Sequence, residues 1–301
     1  MNTTTPIAIF IFNRPDQARE MYKSLSVIRP QTLYIISDGS RMTWAGEAAR
    51  VEEARKVFAR PDWPCCVYRN FAEANMGCRN RILSGLDWVF EHEEKAIVLE
   101  DDCIPHPDFF PFCEEMLERY AQDTRIQSIC GTNLFNAAQK RYSYSFSAYQ
   151  NCWGWATWRR AWGKLDRDLI HLEAARDFGV LREYLGSMRA AWYWHYVLNK
   201  VKKGDINSWA YCWTFSGFIN HLLNIIPSHN LITNHGVASN STHTSALFVT
   251  PPPISKPLSF PLSHPPFVFR NYTFDALIEN RFYSKSLPHR LLWLLYKIRQ
   301  L

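Results

Sequence analysis

Residues 97–112 read IVLEDDCIPHPDFFPF, and with Ala96 they form an apolar run that breaks off into three consecutive carboxylates, Glu100, Asp101 and Asp102. A short apolar run with no polar alternation is the mark of a strand buried on both faces of a sheet, so the acids mark its carboxyl end. Pro107 sits at a favoured first-turn position and predicts a helix over 107–121. Three adjacent like charges repel, and a stable fold retains them only if they are solvated, cap something or face a cation. One acid would suffice to cap the helix that starts near Pro107. A strand end with three suits a divalent ion such as Mn2+ or Mg2+, which prefers hard oxygen ligands.

Outward from that stretch, the first 130 residues alternate. The segments 6–12, 32–37, 65–69, 96–100 and 126–130 are short β-rich apolar runs, and helical patterns fill 16–28, 46–59 and 79–92 between them. Such alternation predicts an α/β fold with a mostly parallel central sheet flanked by helices. Ligands of open α/β sheets collect at the carboxyl ends of the strands. Three polar groups fall there: Asn13-Arg14-Pro15, Ser37-Asp38-Gly39-Ser40, and the acidic triplet. Taken singly, Arg14 also fits a surface salt bridge and Asp38 a turn. Neither G-x-G-x-x-G nor G-x-x-x-x-G-K-[ST] occurs, which argues against a dinucleotide dehydrogenase and a P-loop enzyme. Residues 141–224 are Trp- and Tyr-rich and predict a helical second lobe. A late strand, NLITN, precedes a polar loop and a Pro-rich run at 251–266 that predicts an extended surface segment. The expected division is 1–135, 136–250 and 251–301.

At 301 residues and 47% hydrophobic, the chain can bury a substantial core. Its 15% aromatic content serves that core first and sugar- or base-stacking pockets second. Eight cysteines occur without a C-x-x-C pair or zinc spacing, as expected of buried thiols in a cytoplasmic protein. The N-terminus has no basic region or apolar run of signal-peptide length. From Tyr211 onward, Asp275 and Glu279 are the only acids against seven Lys and Arg. The tail SLPHRLLWLLYKIRQL (286–301) joins a Leu/Trp/Tyr face to basic residues. It suits a helix resting on an anionic membrane surface, or one docked on its own domain.

The segments PIAIFIFNRPDQARE (6–20), YIISDGSR (34–41), RILSGLDWVFE (81–91) and VLEDDCIPHPDFFPFCEEMLERY (98–120), in that order, resemble the nucleotide-sugar domain of GT-A fold glycosyltransferases. The likeness is to N-acetylglucosaminyltransferase I and related bacterial enzymes, in which an E-D-D variant of the D-x-D motif precedes a P-D-F-F helix. NCWGWATWRRAW (151–162) is similar to the acceptor-side aromatic segment, and the stretch 225–245, which includes His243, to the strand and loop that close over the diphosphate. The resemblance implies that Asp102 binds manganese, that Glu100 and Asp101 face the donor, and that Arg14 and Asp38 hold the nucleotide.

The function expected on these grounds is a metal-dependent, inverting transfer of a sugar from a nucleoside-diphosphate donor, UDP-sugar favoured, to a glycan or lipid-linked glycan acceptor, with no nucleic-acid partner. The alternatives are a catalytically impaired sugar-nucleotide or glycan-binding protein, and a nucleotidyltransferase, which normally needs the Gly-rich loop that IFNRPD lacks. In the resembling enzymes an Asp follows a Trp in a W-D-D-W run. Here the run is Trp209-Ala210-Tyr211-Cys212-Trp213, so Ala210 occupies the place of the base. Asp205, in the preceding KKGDINSW, is the nearest carboxylate and the candidate base, with a turn role as the alternative and Asp166 or Asp168 in reserve.

Overall fold

A computed structural model describes residues 3–135, 141–236 and 254–283. The chain opens as a strict alternation of β1 (Ile7–Ile11), α1 (Pro15–Ile28), β2 (Thr32–Ser37), α2 (Glu47–Val57), β3 (Cys66–Phe71), α3 (Cys78–His92) and β4 (Lys95–Glu100). After β5 (Cys103–Pro105) and α4 (Phe109–Arg119) come β6 (Ile126–Cys130), β7 (Tyr144–Ser147) and β8 (Trp155–Trp158). Helices α5 (Arg159–Trp162), α6 (Leu172–Asp177), α7 (Val180–Leu185), α8 (Met188–Lys202) and α9 (Trp209–Ile219) come next. Strands β9 (Leu223–Pro227) and β10 (Ile232–Asn234), helix α10 (Tyr272–Ile278) and a π-helical turn at Glu279–Tyr283 complete the described chain.

Eight strands form one sheet in the order β3-β2-β1-β4-β8-β6-β9-β7. The pairs β1–β2, β1–β4, β2–β3 and β6–β9 are parallel, while β8 runs antiparallel between β4 and β6, and β7 antiparallel on β9. All five residues of β1 are buried, as a strand covered on both faces requires. Helix α1 covers one face with Pro15, Ala18, Met21, Leu25 and Ile28, spaced three and four apart. This is the mostly parallel, helix-flanked α/β sheet that the alternation predicts, of the GT-A type that the resemblance implies. The crossovers run from β1 outward to β2 and β3 and then return to the opposite side of β1 with β4. The switch point of the sheet therefore lies between β1 and β4.

The Trp-rich region holds the expected helices and also strands of the central sheet. Helices α6 to α9 do enclose a second core, around Leu181, Trp194, Leu198, Phe215 and Phe218. However, β7, β8 and β9 also belong to the central sheet, so a division at residue 135 runs through that sheet. WATW of β8 is buried at every position, and a strand without alternation carries no period to betray it. Six of the tryptophans in this region, Trp155, Trp158, Trp162, Trp194, Trp209 and Trp213, are core residues. The segment from 254 is extended, with Leu258 and Leu262 buried on the main core. It is tied down by Asp275, which accepts from the Ser147 hydroxyl and, at 3.0 Å, from the Ala148 N–H, and by Arg270, which donates to the Tyr184 carbonyl. No helix among the described residues is long and apolar enough to cross a membrane.

Candidate active site

At the switch point, the ends of β1 and β4 bring Arg14 against the acidic triplet. One Arg14 Nη1 donates to Asp102 Oδ2 and, at 3.3 Å, to Asp101 Oδ1. The backbone N–H of Phe12 donates to Asp101 Oδ2 at 3.2 Å, and the Cys103 thiol to Asp102 Oδ1 at 3.3 Å. Neither aspartate caps α4: β5 intervenes, and Asp108 stands at that helix's N-cap, its Oδ2 accepting instead from Leu258 N–H at 2.9 Å. Among the described residues the half-buried Glu100 carboxylate accepts no hydrogen bond. Burial first, then the charges of Asp102 and its neighbours, raise the carboxyl groups of Glu100 and Asp101 well above the usual range. Burial acts to lower the Arg14 guanidinium, but the Asp101 and Asp102 charges outweigh it and raise it. Three acids against one arginine leave the cluster formally short of positive charge.

A short antiparallel ribbon completes this corner. Strand β10 pairs with β5, Asn234 opposite Cys103, and His235 N–H donates to the Asp102 carbonyl at 2.9 Å. The chain thus passes directly over the Asp102 side chain at Gly236, where a Cβ would lie 2.1 Å from Oδ2. Only glycine fits there without displacing the carboxylate. Nothing in NHGVAS distinguishes this glycine from any loop glycine, so sequence reading passes it over. His235 itself is turned away, its Nδ1 3.0 Å from Glu20 Oε2.

Asp38 stands at the end of β2 in a different state. Its carboxylate accepts from the backbone N–H of Gly39 (2.9 Å), Met76 (2.8 Å) and Gly77 (3.0 Å) and from Asn75 Nδ2 (3.1 Å). It therefore orders the 75–77 loop at the start of α3. A second buried acid, Glu47, ties the loops after β1 and β2 together: it accepts from Asn13 Nδ2 at 2.7 Å and from Arg41 N–H at 2.7 Å, and pairs with the Arg41 guanidinium. The Arg41 partnership holds the Glu47 carboxyl below its ordinary range. Arg41 in turn lies 4.2 Å over the Trp44 ring at the exposed rim. Glu47 sits in an Ala/Glu/Arg-rich pattern that looks like a solvated helix face, which is why the sequence does not single it out.

Asp205 lies on the exposed turn between α8 and α9, its N–H bonded to the Lys200 carbonyl at 2.9 Å. The same turn carries Asn207, whose Nδ2 comes within 3.7 Å of a Cβ placed on Gly77, so it abuts the Asp38 loop. Ala210, in the first turn of α9, packs against the tryptophan cluster. Of the reserves, Asp166 is buried and accepts from the N–H groups of Ile170 and His171, and Asp168 is exposed. His243 and the tail 287–301 lie outside the described residues. Desolvation, then the Glu100 charge, pushes the Cys78 thiol up to about 12 and raises Cys152 as well, which disfavours the thiolate at both. All eight cysteines are free. Among the described residues no three His, Cys, Asp or Glu side chains converge to form a metal cage.

These features define an α/β protein of GT-A type with an acidic, arginine-bridged centre at its switch point. No protein-family model and no curated protein sequence matches the chain. Two solved structures of UDP-glucose pyrophosphorylase, one complexed with UDP-glucose and one apo, superpose with TM-scores of 0.27 and 0.26 at 11% and 14% identity. The matches cover 48% of this chain and 62% and 65% of those structures, so the chain spans less than two thirds of their length. Similarity at that level carries no argument about activity.

Proposed function

We propose that the chain is a metal-dependent glycosyltransferase that moves a sugar, with inversion, from a UDP-sugar to a glycan acceptor. The observation that supports this reading is the cluster of Glu100, Asp101, Asp102 and Arg14 at the switch point, short of positive charge and roofed by Gly236. The carboxylate oxygens fit Mn2+ or Mg2+, with Asp102 as ligand and diphosphate oxygens and water completing the shell, since the described residues offer no cage of their own. Such an ion supplies charge neutralisation of the leaving diphosphate. Arg14 pairs with Asp102 and is placed to exchange that partner for a phosphate oxygen. Glu100 and Asp101 face the sugar, Asp38 shapes the nucleotide side through its loop, and His243 closes over the diphosphate.

Asp205 is the proposed base for the acceptor hydroxyl, because the Ala210 methyl can accept no proton. A second reading, a sugar-nucleotide-binding protein that has lost catalysis, is favoured by the same Ala210. The nucleotidyltransferase alternative is disfavoured, because Phe12-Asn13-Arg14 stands where a glycine-rich loop would be, and the Phe12 N–H is already taken by Asp101. We place the protein in the cytoplasm, with the tail 287–301 on the anionic inner face of the membrane; flotation with anionic vesicles, lost on truncation at Ser286, tests this.

The deciding experiment is a panel of nucleotide sugars with manganese, monitored for release of nucleoside diphosphate. Turnover of a UDP-sugar, cut roughly 10²- to 10⁴-fold in Asp205→Asn with donor affinity retained, supports the assignment. Donor binding without turnover, restored by Ala210→Asp, supports the impaired protein instead.

A further inference from the structure

Residues 265–278, PPFVFRNYTFDALI, carry only two charges, Arg270 and Asp275. Both are buried and pair with each other at 2.6 Å, so the stretch has no exposed charged side chain. What it shows to solvent is apolar. Val268 packs on the main core and Arg270 is buried, so the residues that alternate with them, Phe267 and Phe269, are turned outward and are 73% and 49% exposed. On α10 the buried positions are Phe274, Asp275 and Ile278, and the exposed ones are Tyr272, Thr273, Ala276 and Leu277. A surface helix of a globular protein ordinarily carries charge on its outer face, and this one carries none.

A contiguous exposed apolar face marks contact with a protein or a membrane, and the surrounding charge decides between them. Residues 280–301 hold five Lys and Arg and no Asp or Glu. Glu279, the nearest acid, is half-buried and accepts from the Tyr149 hydroxyl at 2.8 Å. An apolar face that runs directly into a basic segment is complementary to an anionic lipid surface. There Phe, Tyr and Leu enter the boundary between headgroups and acyl chains, and Lys and Arg meet the phosphates. A second copy of the chain, with its formal net charge of +6, brings like charge and lacks that complementarity. Neither element is large, and stable attachment to a bilayer takes two signals.

We propose that the outer face of 265–278 is a membrane-docking surface, on which Phe267, Phe269, Tyr272 and Leu277 enter the interfacial layer of an anionic bilayer while the basic segment that follows holds the lipid phosphates. The Asn271 N–H donates to the Phe146 carbonyl at 2.8 Å, and Asp275 accepts from the Ser147 hydroxyl and the Ala148 N–H. The face is therefore fixed to β7, and its contact with a bilayer orients the central sheet. The inference deepens the placement of the tail on the inner face of the membrane and does not rest on the glycosyltransferase reading.

The test mixes the full chain at low salt with vesicles of equal parts phosphatidylcholine and phosphatidylglycerol, and separately with vesicles of phosphatidylcholine alone, and measures partitioning by flotation. Binding to the anionic vesicles is expected, and much less to the neutral ones. Phe267→Ser combined with Phe269→Ser should weaken it roughly tenfold or more, and Leu277→Ser less. Phe178→Ser, which removes an 82% exposed phenylalanine at the C-terminus of α6, should leave it unchanged. Near-UV circular dichroism checks the fold, and Leu277→Ser carries the test if the double variant does not fold. Absence of flotation by the wild type, equal binding to both kinds of vesicle, or equal flotation by wild type and the folded variants overturns the proposal. Loss of a dimer in the double variant by sedimentation velocity, with flotation unchanged, assigns the face to a second copy instead. Vesicle binding without UDP-sugar turnover leaves the docking face standing and removes the transferase, whereas turnover without vesicle binding does the reverse.

Discussion

Asp38 and Asp102 stand at the carboxyl ends of two strands separated in the sheet only by β1, yet the two corners are built differently. Around Asp38 every carboxylate oxygen is occupied, by three backbone N–H groups and an asparagine amide. Around Asp102 the partners are a half-buried arginine and a thiol, with two further acids alongside. A carboxylate saturated by backbone amides fixes a loop, because releasing it would orphan several donors. A carboxylate held by a long cationic side chain can change partners at little cost. Position at a strand end therefore does not by itself leave an acid available to a ligand; the kind of partner that holds it matters as well.

The sharpest way to break this comparison is Asp38→Ala. It strips the acceptor from the Gly39, Met76 and Gly77 N–H groups at once and should cost roughly 3–5 kcal/mol of stability. Urea denaturation reads this directly, and a loss below about 0.5 kcal/mol would mean that the loop does not depend on Asp38.

Asp102→Ala should behave in the opposite way. Removing one of three adjacent like charges leaves stability unchanged or raised, whereas manganese-dependent affinity for a UDP-sugar should fall by about a hundredfold. Calorimetry compares it with Asp108→Ala, whose carboxylate faces Leu258 N–H and whose loss should spare the donor. Equal donor affinity in wild type and Asp102→Ala removes the metal assignment. A milder version is Gly236→Ala. Its Cβ would meet Asp102 Oδ2 at 2.1 Å, and the displaced carboxylate should weaken donor binding about tenfold in the same calorimeter.

The smallest expected effect lies away from both aspartates and separates their pH response from the background. Burial, then the Arg176 charge, pushes the His195 ring down to about 4, against an ordinary value of about 6.5 in the unfolded chain. The unfolded state therefore binds the proton first. The contribution of neutral His195 is present above pH 6.5 and is lost as the pH falls from there toward 4. His195→Asn should show a shallower fall in melting temperature between pH 7 and pH 5 than the wild type. Parallel curves would assign the acid sensitivity to other groups.

What the sequence determined by itself was whatever depends on neighbours along the chain. The apolar runs of β1, β2, β4 and β6 and the polar breaks after them are local patterns, so the α/β alternation and the positions of Arg14, Asp38 and the acidic triplet could be read directly. Tertiary structure decided everything that depends on a partner far along the chain. Asp38 and Asp102 look alike in sequence, and only the arrival of Asn75–Gly77 at one and of Arg14 and Gly236 at the other separates them. The same holds for β8, inserted antiparallel between β4 and β6, and for Glu47, buried within a pattern that looks solvated. Hydrophobic periodicity records which face of an element is buried. It carries no information about which donor meets a given oxygen, and that is what decides whether a carboxylate builds the fold or stays available to a ligand.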